Sequence, residues 1–327
     1  MSSTSRVNFN DFIKNNISLD PAVTEVARSS RDFLYSQLKA LPSKAENFPR
    51  LYPEKEIFNY GSFSRKTKIR LLDDIDFMLI FAADGATYND VLGQVKISIP
   101  EEAKNLFNLL GTDGFLSSKK VANKIKNNIS KVSQYRNAEI RSNQEAVILN
   151  LSSYHWSFDI IPAFITSEET DGRSYYLIPD GNGHWKKTDP RIDKERTTNV
   201  NKDRDLNVLE FIRIIKYWNK IQNLNISSYL MENLVLKYVE THNTSSSRKY
   251  ELSNFFTYLT EAIYYQVADP KGIQGDLNTL DFSKRQSVSN KASQSAKAIR
   301  SALEFEGISE YASADKQWRI VFGDSYE

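Results

Sequence analysis

The stretch GSFSRKTKIRLLDDIDFML, residues 61–79, contains two aspartates inside an apolar run. Because Asp74 and Asp76 are two positions apart, both carboxylates leave the same face of a β-strand. Ile75 and Phe77 then point to the opposite face. Paired carboxylates with no imidazole or thiolate beside them suit Mg²⁺, which usually binds substrate phosphates as well. The stretch therefore predicts a strand that carries a site for magnesium and a polyphosphate.

Residues before and after this strand strengthen the prediction. Gly61 and Ser62 lie in a strand-to-loop turn, thirteen and twelve residues before Asp74. Glycine lets the backbone approach a phosphate closely, and serine adds a hydroxyl donor. Asp159 lies in YHWSFDIIPAF, residues 154–164, where a charge between two apolar residues is hard to explain as surface alternation. It is the third carboxylate needed to hold two metals about 3.5 to 4 Å apart. An isolated Asp-x-Asp pair, by contrast, is often only a solvated strand edge.

The composition narrows the kinds of site that the chain can build. Its 327 residues include no Cys, which excludes disulfides, a thiolate nucleophile and every Cys-ligated metal site. The three histidines, His155, His184 and His242, are too widely spaced to suggest an all-imidazole metal site. The formal net charge of +2, from 43 Lys and Arg against 41 Asp and Glu, is not that of a non-specific duplex binder. We expect an oxygen-ligated metal and no stable nucleic-acid partner.

The hydrophobic runs are too short for a targeting or membrane-spanning sequence. The N-terminus, MSSTSRVNFNDFIKNN, has no apolar core of signal-peptide length. The longest uncharged apolar run, residues 77–83, is far shorter than the roughly 18 to 20 residues that a membrane span requires. We therefore expect a cytoplasmic protein with no membrane partner.

The spacing of apolar residues predicts a mixed first half and a helical second half. Helical spacing predicts a long helix over 21–41 and an amphipathic basic helix over 117–132. Runs of β-forming residues, the last of them ending at Pro162, predict strands over 56–60, 74–82, 138–141, 146–151 and 156–161. Apolar stripes after Asp205 predict helices over 206–221, 229–239, 252–267 and 284–305.

These elements predict an α+β fold with two lobes. Residues 1–165 would form the catalytic core, with a mixed or antiparallel sheet and a long N-terminal helix. The polar, proline-containing residues 166–205 would connect the lobes. Residues 206–327 would form a helical bundle.

The motifs resemble a known family. Residues 61–79 together with WSFDIIPAF, in which Asp159 lies 83 residues after Asp76, resemble the DNA-polymerase-β-type nucleotidyltransferases. Within that superfamily they look like the bacterial cyclic-oligonucleotide synthases related to cyclic GMP-AMP synthase and oligoadenylate synthase. The likeness continues through KYWNK at 216–220, SSYLMENLV from Ser227, and a terminal ADKQWRIVFGD. It implies a bilobed, polymerase-β-like core and a C-terminal helical lobe, residues 206–327, that completes the nucleotide-binding cleft. Some relatives carry a Cys/His zinc module in the helical half, which a chain without Cys cannot build.

The resemblance also implies roles for the matching residues of the first half. Gly61 and Ser62 would hold the donor triphosphate. Asp74 and Asp76 would ligate two Mg²⁺ ions, with Mn²⁺ as an alternative. Asp159 would complete the site of the ion that is shared with the acceptor hydroxyl.

In the second half, the resemblance implies that Lys216 and Ser228 contact the outer phosphates of the donor and that Tyr229 stacks on its base. The chemistry of these residues agrees, since lysine supplies a point charge and tyrosine a flat platform that tolerates any base. Without the resemblance, a core tyrosine and an ordinary exposed helix lysine are the simpler explanations for Tyr229 and Lys216.

The implied function is that of an Mg²⁺-dependent nucleotidyltransferase that condenses nucleoside triphosphates and releases pyrophosphate. The product would be a cyclic di- or trinucleotide second messenger in bacterial antiphage (CBASS) signalling, acting through a downstream effector. ATP is the expected substrate, with GTP or pyrimidine nucleoside triphosphates as further candidates. One alternative keeps the site but makes a linear oligonucleotide or modifies an RNA or protein end. Another is a module that senses nucleotides without turnover, for which three metal-binding carboxylates would be unnecessary.

Overall fold

The computed structural model describes residues 7–144 and 146–326, so the predicted domain ends at positions 1 and 327 lie outside the described residues. By their internal contacts, the described residues form two compact units. The sheet unit consists of Pro21–Ser64 and Leu72–Arg191. The helical unit consists of the described residues up to Asp20, of Arg65–Leu71, and of the described residues from Ile192 onward.

The sheet unit is built on a mixed sheet that has nine strands in the described part of the chain. They are β1 (Ile57–Asn59), β2 (Asp74–Ile80), β3 (Thr87–Val91), β4 (Gln94–Ser98), β5 (Glu139–Asn143), β6 (Ala146–Asn150), β7 (Ser157–Ile165), β8 (Tyr176–Pro179) and β9 (Trp185–Thr188). Their order is β1-β2-β7-β8-β9-β4-β3, and β6 also pairs with β7 and carries β5. β2 and β7 are parallel, whereas the other pairs are antiparallel. The two strands that carry the predicted aspartates are therefore direct neighbours.

Burial along β2 follows the alternation predicted from the sequence. Ile75 and Phe77 are buried, while Asp74 and Asp76 on the other face are only partly buried. From Met78 to the end of the strand every residue is buried, as expected for a central strand that is covered on both faces. The polar face of β2 is thus confined to its first half.

The end of β7 differs from the prediction. The sequence predicted that this strand ends at Pro162, but it continues through Pro162 to Ile165. β6 pairs with β7 over 157–160 and β8 pairs with its last two residues, so the described pairing at Pro162 is with β2 alone. Proline lacks the N–H that a second neighbour would require, and it is therefore tolerated at this point.

Helices occur in both units and make up most of the helical unit. Those in the described residues are α1 (Phe9–Phe12), α2 (Pro21–Lys39), α3 (Leu41–Lys44), α4 (Gly61–Ser64), α5 (Lys104–Phe107), α6 (Ser118–Ile129), α7 (Pro190–Lys202), α8 (Val208–Ile221), α9 (Ser228–Thr241), α10 (Arg248–Ala262), α11 (Phe282–Gly307) and α12 (Tyr311–Phe322). A π-helical turn, Ile13–Ile17, and a 3₁₀ turn, Ser133–Tyr135, complete the set. Judged over these residues, every helix is too short or too polar to cross a membrane.

The two amphipathic helices predicted in the first half are present. In α2, Leu34 and Leu38 are fully buried, but Val23 remains 40% exposed, so the buried stripe begins about one turn later than the sequence predicted. In α6, Val121 and Ile125 are fully buried and the helix packs on β5, β6 and β7. The lysines of α6 stay on its outer side, as expected for an amphipathic helix.

The helical unit has one large apolar core. The predicted stripe of α11 is buried at Val288, Ala292 and Ile299. α12, which the apolar spacing alone did not predict, adds Trp318 to this core, with its ring 5.2 Å from the ring of Phe9. The α+β class with a long N-terminal helix and C-terminal helices is confirmed.

Residues 166–205, which the sequence predicted to be a connection, contain regular elements. β8 and β9 lie there and extend the sheet from the end of β7, and α7 follows them. The two strands have four residues each, and three of the four residues of β9 are only partly buried. Both strands are short and β9 is also polar, so the sequence carries little periodic signal for either strand.

Candidate functional site

The parallel pair β2 and β7 places two of the predicted aspartates side by side. Asp76 is the register partner of Asp159, and Asp74 is the register partner of Ser157. Register partners on neighbouring strands point to the same face, with strand axes roughly 4.8 Å apart. Asp74, Asp76 and Asp159 therefore share one partly buried face of the sheet, which we refer to as the acid face.

Gly61 contacts the acid face directly. It follows β1 and begins the one-turn helix α4 with a φ of 73°. A Cβ atom at this position would lie 1.9 Å from Oδ2 of Asp76, so a side chain here would displace the carboxylate. The backbone of the Gly61–Ser62 turn is consequently held against Asp76, and Ser62 itself is partly buried.

The three carboxylates are aligned but are not assembled into a complete ligand set. Ser157 Oγ donates a hydrogen bond to Oδ1 of Asp159 at 3.3 Å. Within residues 7–144 and 146–326, no group of three or more His, Asp or Glu side chains has the geometry to hold a metal ion. The strand register thus brings the carboxylates to one face, but their side-chain conformations do not form a metal site.

Lys216 lies in the helical unit as part of a buried ionic group. Its Nζ donates to the carbonyl oxygen of Thr67 at 3.0 Å and lies 3.8 Å from the carboxylate of Glu232. Arg65 donates to the same carboxylate from Nε at 2.8 Å and from Nη2 at 3.3 Å. We refer to Glu232, Arg65, Thr67 and Lys216 as the Glu232 cluster. Lys216 is only 6% exposed, so it is not the ordinary surface lysine that its helical position would suggest.

Opposing effects act on the charges of the Glu232 cluster. Burial raises the pKa of Glu232, but the charge and hydrogen bonds of Arg65, together with the charge of Lys216, hold the pKa below its ordinary value of 4.5. For Arg65, burial lowers the pKa, while the Glu232 carboxylate raises it to a net value above normal. Both partners are therefore charged near neutral pH.

Ser228 and Tyr229 begin α9 in the same unit. Ser228 is exposed, whereas Tyr229 is partly buried. The Tyr229 hydroxyl donates to Oδ1 of Asp193 at 2.6 Å and lies 3.1 Å from Oδ1 of Asp269. Lys271 Nζ donates to the hydroxyl oxygen at 2.6 Å. Charged side chains thus surround the hydroxyl, although Tyr229 was predicted only to offer its ring.

The predicted site residues fall into two groups, one in each unit. Gly61, Ser62 and the three aspartates lie in the sheet unit, where register and close contact bring Gly61, Asp76 and Asp159 together. Lys216, Ser228 and Tyr229 lie in the helical unit, on the neighbouring helices α8 and α9.

The sequence reasoning missed the charged partners of these residues. Glu232 could have been found, because it is a single acid among the buried apolar residues at the start of α9, and such a charge predicts a buried ion pair. Asp193, Asp269 and Lys271 carried no comparable signal. They lie in separate polar segments, where a charged residue needs no special explanation.

A protein from Bacillus cereus (strain VD146), named as a probable cyclic nucleotide synthase, is 50% identical to the chain over 326 residues. The alignment covers 100% of the chain and 98% of that protein. The chain belongs to this family, the bacterial cGAS/DncV-like nucleotidyltransferases. No general family model matches the sequence. The resemblance inferred from the motifs is therefore confirmed.

Solved structures of this family have the same fold. CdnC of Escherichia coli MS115-1, in complex with HORMA-deltaN, aligns with a TM-score of 0.72 at 16% identity, covering 97% of this chain and 96% of that one. DncV of Escherichia coli in its 3′-deoxy GTP bound form aligns with a TM-score of 0.66 at 12% identity, covering 98% and 97%. Likeness over nearly the whole length, at such low identity, shows that the nucleotidyltransferase fold is shared.

Proposed function

We propose that the chain is an Mg²⁺-dependent nucleotidyltransferase that condenses nucleoside triphosphates into a cyclic di- or trinucleotide and releases pyrophosphate. One observation carries the proposal: Asp76 and Asp159 are register partners on neighbouring strands, beside Asp74 and in contact with Gly61. The chain that carries them is 50% identical to a probable cyclic nucleotide synthase. Carboxylates next to a glycine turn suit a triphosphate bound together with a divalent cation.

The chemistry of the donors supports a divalent cation at the acid face. Asp74, Asp76 and Asp159 offer hard carboxylate oxygens, which Mg²⁺ prefers, and they would hold two ions, with Mn²⁺ as an alternative. When bound, the ions neutralise the charge of the triphosphate and lower the pKa of the acceptor hydroxyl. Since the side chains do not form a preassembled ligand set, their rotamers must change to complete it.

The residues of the sheet unit orient the reacting groups. Gly61 lets the backbone approach the donor phosphates, and the Ser62 hydroxyl donates to them. Asp159 orients the acceptor ribose hydroxyl for in-line attack on the α-phosphorus. The new P–O bond forms as the bond to pyrophosphate breaks.

The residues of the helical unit bind the donor nucleotide. Ser228 contacts its outer phosphates, and Tyr229 stacks on its base. Lys216 reaches the same phosphates by exchanging its hydrogen bond to the Thr67 carbonyl oxygen for one to a phosphate oxygen. The Glu232 cluster contains two cations, Arg65 and Lys216, and one carboxylate, so it retains one net positive charge. That surplus charge favours the binding of an anionic group.

A second condensation closes the ring. The linear intermediate reverses in the site so that its remaining triphosphate becomes the donor, and pyrophosphate leaves again. Solved structures of relatives carry ATP or 3′-deoxy GTP, which supports nucleoside triphosphates as substrates here. The cyclic product would then activate a downstream effector in antiphage signalling.

Product analysis tests the proposal. The purified chain is incubated with labelled nucleoside triphosphates and Mg²⁺, and the products are treated with phosphatase and identified by mass spectrometry. A cyclic product resists phosphatase because it has no terminal phosphate. Only phosphatase-sensitive products would indicate a linear oligonucleotide synthase instead. If no combination of the four nucleoside triphosphates yields an oligonucleotide, the proposed activity is wrong.

A matched pair of variants tests the acid face. Asp76→Asn should lower product formation by roughly a thousandfold, because a lost metal ligand removes several kcal/mol of transition-state stabilisation. Asp73→Asn is the control, since it removes a neighbouring exposed carboxylate outside β2 and should leave product formation unchanged. Equal activity of the two variants would show that the acid face is not the catalytic site.

A further inference from the structure

A second buried ionic group surrounds Tyr229. Asp193 lies in α7, and Asp269 and Lys271 lie in the loop between α10 and α11. These three residues are 9%, 6% and 5% exposed. We refer to them, with Tyr229, as the Tyr229 cluster. Charged residues this deeply buried are rare unless they are paired, so the cluster is not a solvated surface patch.

The hydrogen bonds of the cluster use both functions of the hydroxyl. The Tyr229 hydroxyl donates a hydrogen bond to Asp193 at 2.6 Å. Its oxygen accepts one from Lys271 Nζ, also at 2.6 Å. Burial, and next the hydrogen bond and charge of Asp193, raise the pKa of Tyr229, so the hydroxyl stays protonated at neutral pH. With the donor and an acceptor direction both occupied, the end of the side chain has little freedom to move.

Asp269 holds Lys271 in place through the loop backbone. Its Oδ2 accepts the N–H groups of Ile273 at 3.2 Å and Gln274 at 2.9 Å, and its Oδ1 accepts the N–H of Lys271 at 3.2 Å. Burial raises the pKa of Asp269, but the N–H of Gln274 and the charge of Lys271 hold it below the ordinary value. An ionised Asp269 therefore orders the loop and keeps the Lys271 ammonium beside the Tyr229 hydroxyl. Lys271 Nζ lies 3.3 Å from Oδ1 of Asp269.

We propose that Lys271, with Asp193 and Asp269, is a positioning residue that fixes the position of the Tyr229 ring for stacking on the donor base. The proposal rests on the proposed function, because that function is what supplies a base to Tyr229. Stacking requires the ring to lie beside the base, and a side chain that is already held at its hydroxyl loses less freedom when the nucleotide binds. Apolar packing would hold a ring at lower desolvation cost, so three charged groups on one hydroxyl are better explained by orientation than by stability.

Calorimetric titration of the full chain with ATP and with inorganic tripolyphosphate tests this proposal, because tripolyphosphate has no base. Lys271→Met removes the ammonium, and Tyr229→Phe keeps the ring but removes the hydroxyl. Each variant should weaken ATP binding by ~10-fold and leave tripolyphosphate binding unchanged. The double variant should lose less than the sum of the two single losses, because both changes break the same hydrogen bond. Lys271→Met also removes the ammonium that lies 4.2 Å from the centre of the Tyr229 ring, a contact that Tyr229→Phe keeps. Lys297→Met, which alters an exposed lysine of α11, is the control and should change neither titration.

Each contrary outcome overturns the proposal. Unchanged ATP affinity, an equal loss of both ligands, or additive losses in the double variant would each show that the cluster does not act through the ring. Tripolyphosphate binding also reports that a variant is folded, and Tyr229→Phe alone decides the question if Lys271→Met does not fold. Failure of the proposed function is distinguishable, because it appears as an absence of oligonucleotide products from a wild-type chain that still binds ATP. A wild-type chain that does not bind ATP overturns both the proposed function and the proposed role of Lys271.

Discussion

At the scale of single residues, two separate effects oppose substitution of Gly61. Its φ of 73° disfavours any residue with a Cβ, and the Cβ would also collide with Asp76. The first effect concerns stability and the second concerns the position of a carboxylate on the acid face. The two effects can be separated by comparing glycines.

Gly61→Ala is therefore expected to lower the free energy of unfolding by roughly 1 to 3 kcal/mol. It should also reduce product formation by ~100-fold, because Asp76 must move by about an ångström. Gly93→Ala is the matched control, since Gly93 has a φ of 81° in the same unit but no atom within 4 Å of its Cβ position. It should show a similar loss of stability in denaturant titrations with full product formation. Full activity of folded Gly61→Ala would contradict the assigned contact.

The second prediction at this scale concerns Glu232. Removing one partner of a buried ion pair leaves the remaining charges buried and uncompensated. Glu232→Gln should lower the free energy of unfolding by about 3 to 5 kcal/mol at neutral pH. Glu240→Gln is the control, since it removes a more exposed ion pair with Arg196 and should cost less than ~1 kcal/mol. Denaturant titrations of the three proteins measure both differences.

The same comparison has a pH dependence of known sign. The pKa of Glu232 is lower in the folded chain than its ordinary value of 4.5, so the stability it contributes is fully present above that value. The contribution is lost as the pH falls through the folded pKa. The difference between wild type and Glu232→Gln should therefore be constant near neutrality and shrink below pH 4.5. A difference that grows on acidification would show that Glu232 is not held in its ionised form.

At the scale of elements, the clearest predictions came from long segments with a strong pattern. α11 was recognised from its apolar stripe, and it begins at an aspartate cap: the Asp281 side chain accepts the N–H of Lys284 at 2.7 Å. Asp281→Ala should lower the free energy of unfolding by ~1 kcal/mol, whereas Asp281→Asn keeps the acceptor and should cost much less. Denaturant titration measures the difference. A loss of product formation in folded Asp281→Ala would contradict a purely local role for this cap.

Short elements and long-range pairing escaped the same reasoning. β8 and β9 have four residues each, which is only two periods of the two-residue alternation of a strand. The passage of β7 through Pro162 depended on which neighbours pair at that residue, and local sequence does not specify neighbours. In each case the local residues are compatible both with a strand and with a loop. The choice between them depends on the neighbouring strands, which the local sequence does not specify.

At the scale of the whole molecule, the balance of charge bears on partners. The chain carries 43 basic and 41 acidic residues, so it has no large positive excess to release counterions from a nucleic-acid duplex. Product formation should therefore be unchanged when duplex DNA or RNA is added. The assay is product yield with and without duplex, repeated at raised salt. Stimulation that fades with salt would point to a local basic surface that the net charge conceals.

The amino-acid sequence by itself determined the family, the α+β class and the strands that carry Asp74, Asp76 and Asp159, because motifs and alternation are properties of a local window. Only the tertiary structure decided that Asp76 pairs with Asp159, that Gly61 touches Asp76, and that Glu232 is bound by Arg65. Each of these contacts joins residues 15 to 167 positions apart. The distance between the two residues of each contact depends on how the intervening chain packs. The sequence pattern around one of the two residues is compatible with many strand registers and many contact partners.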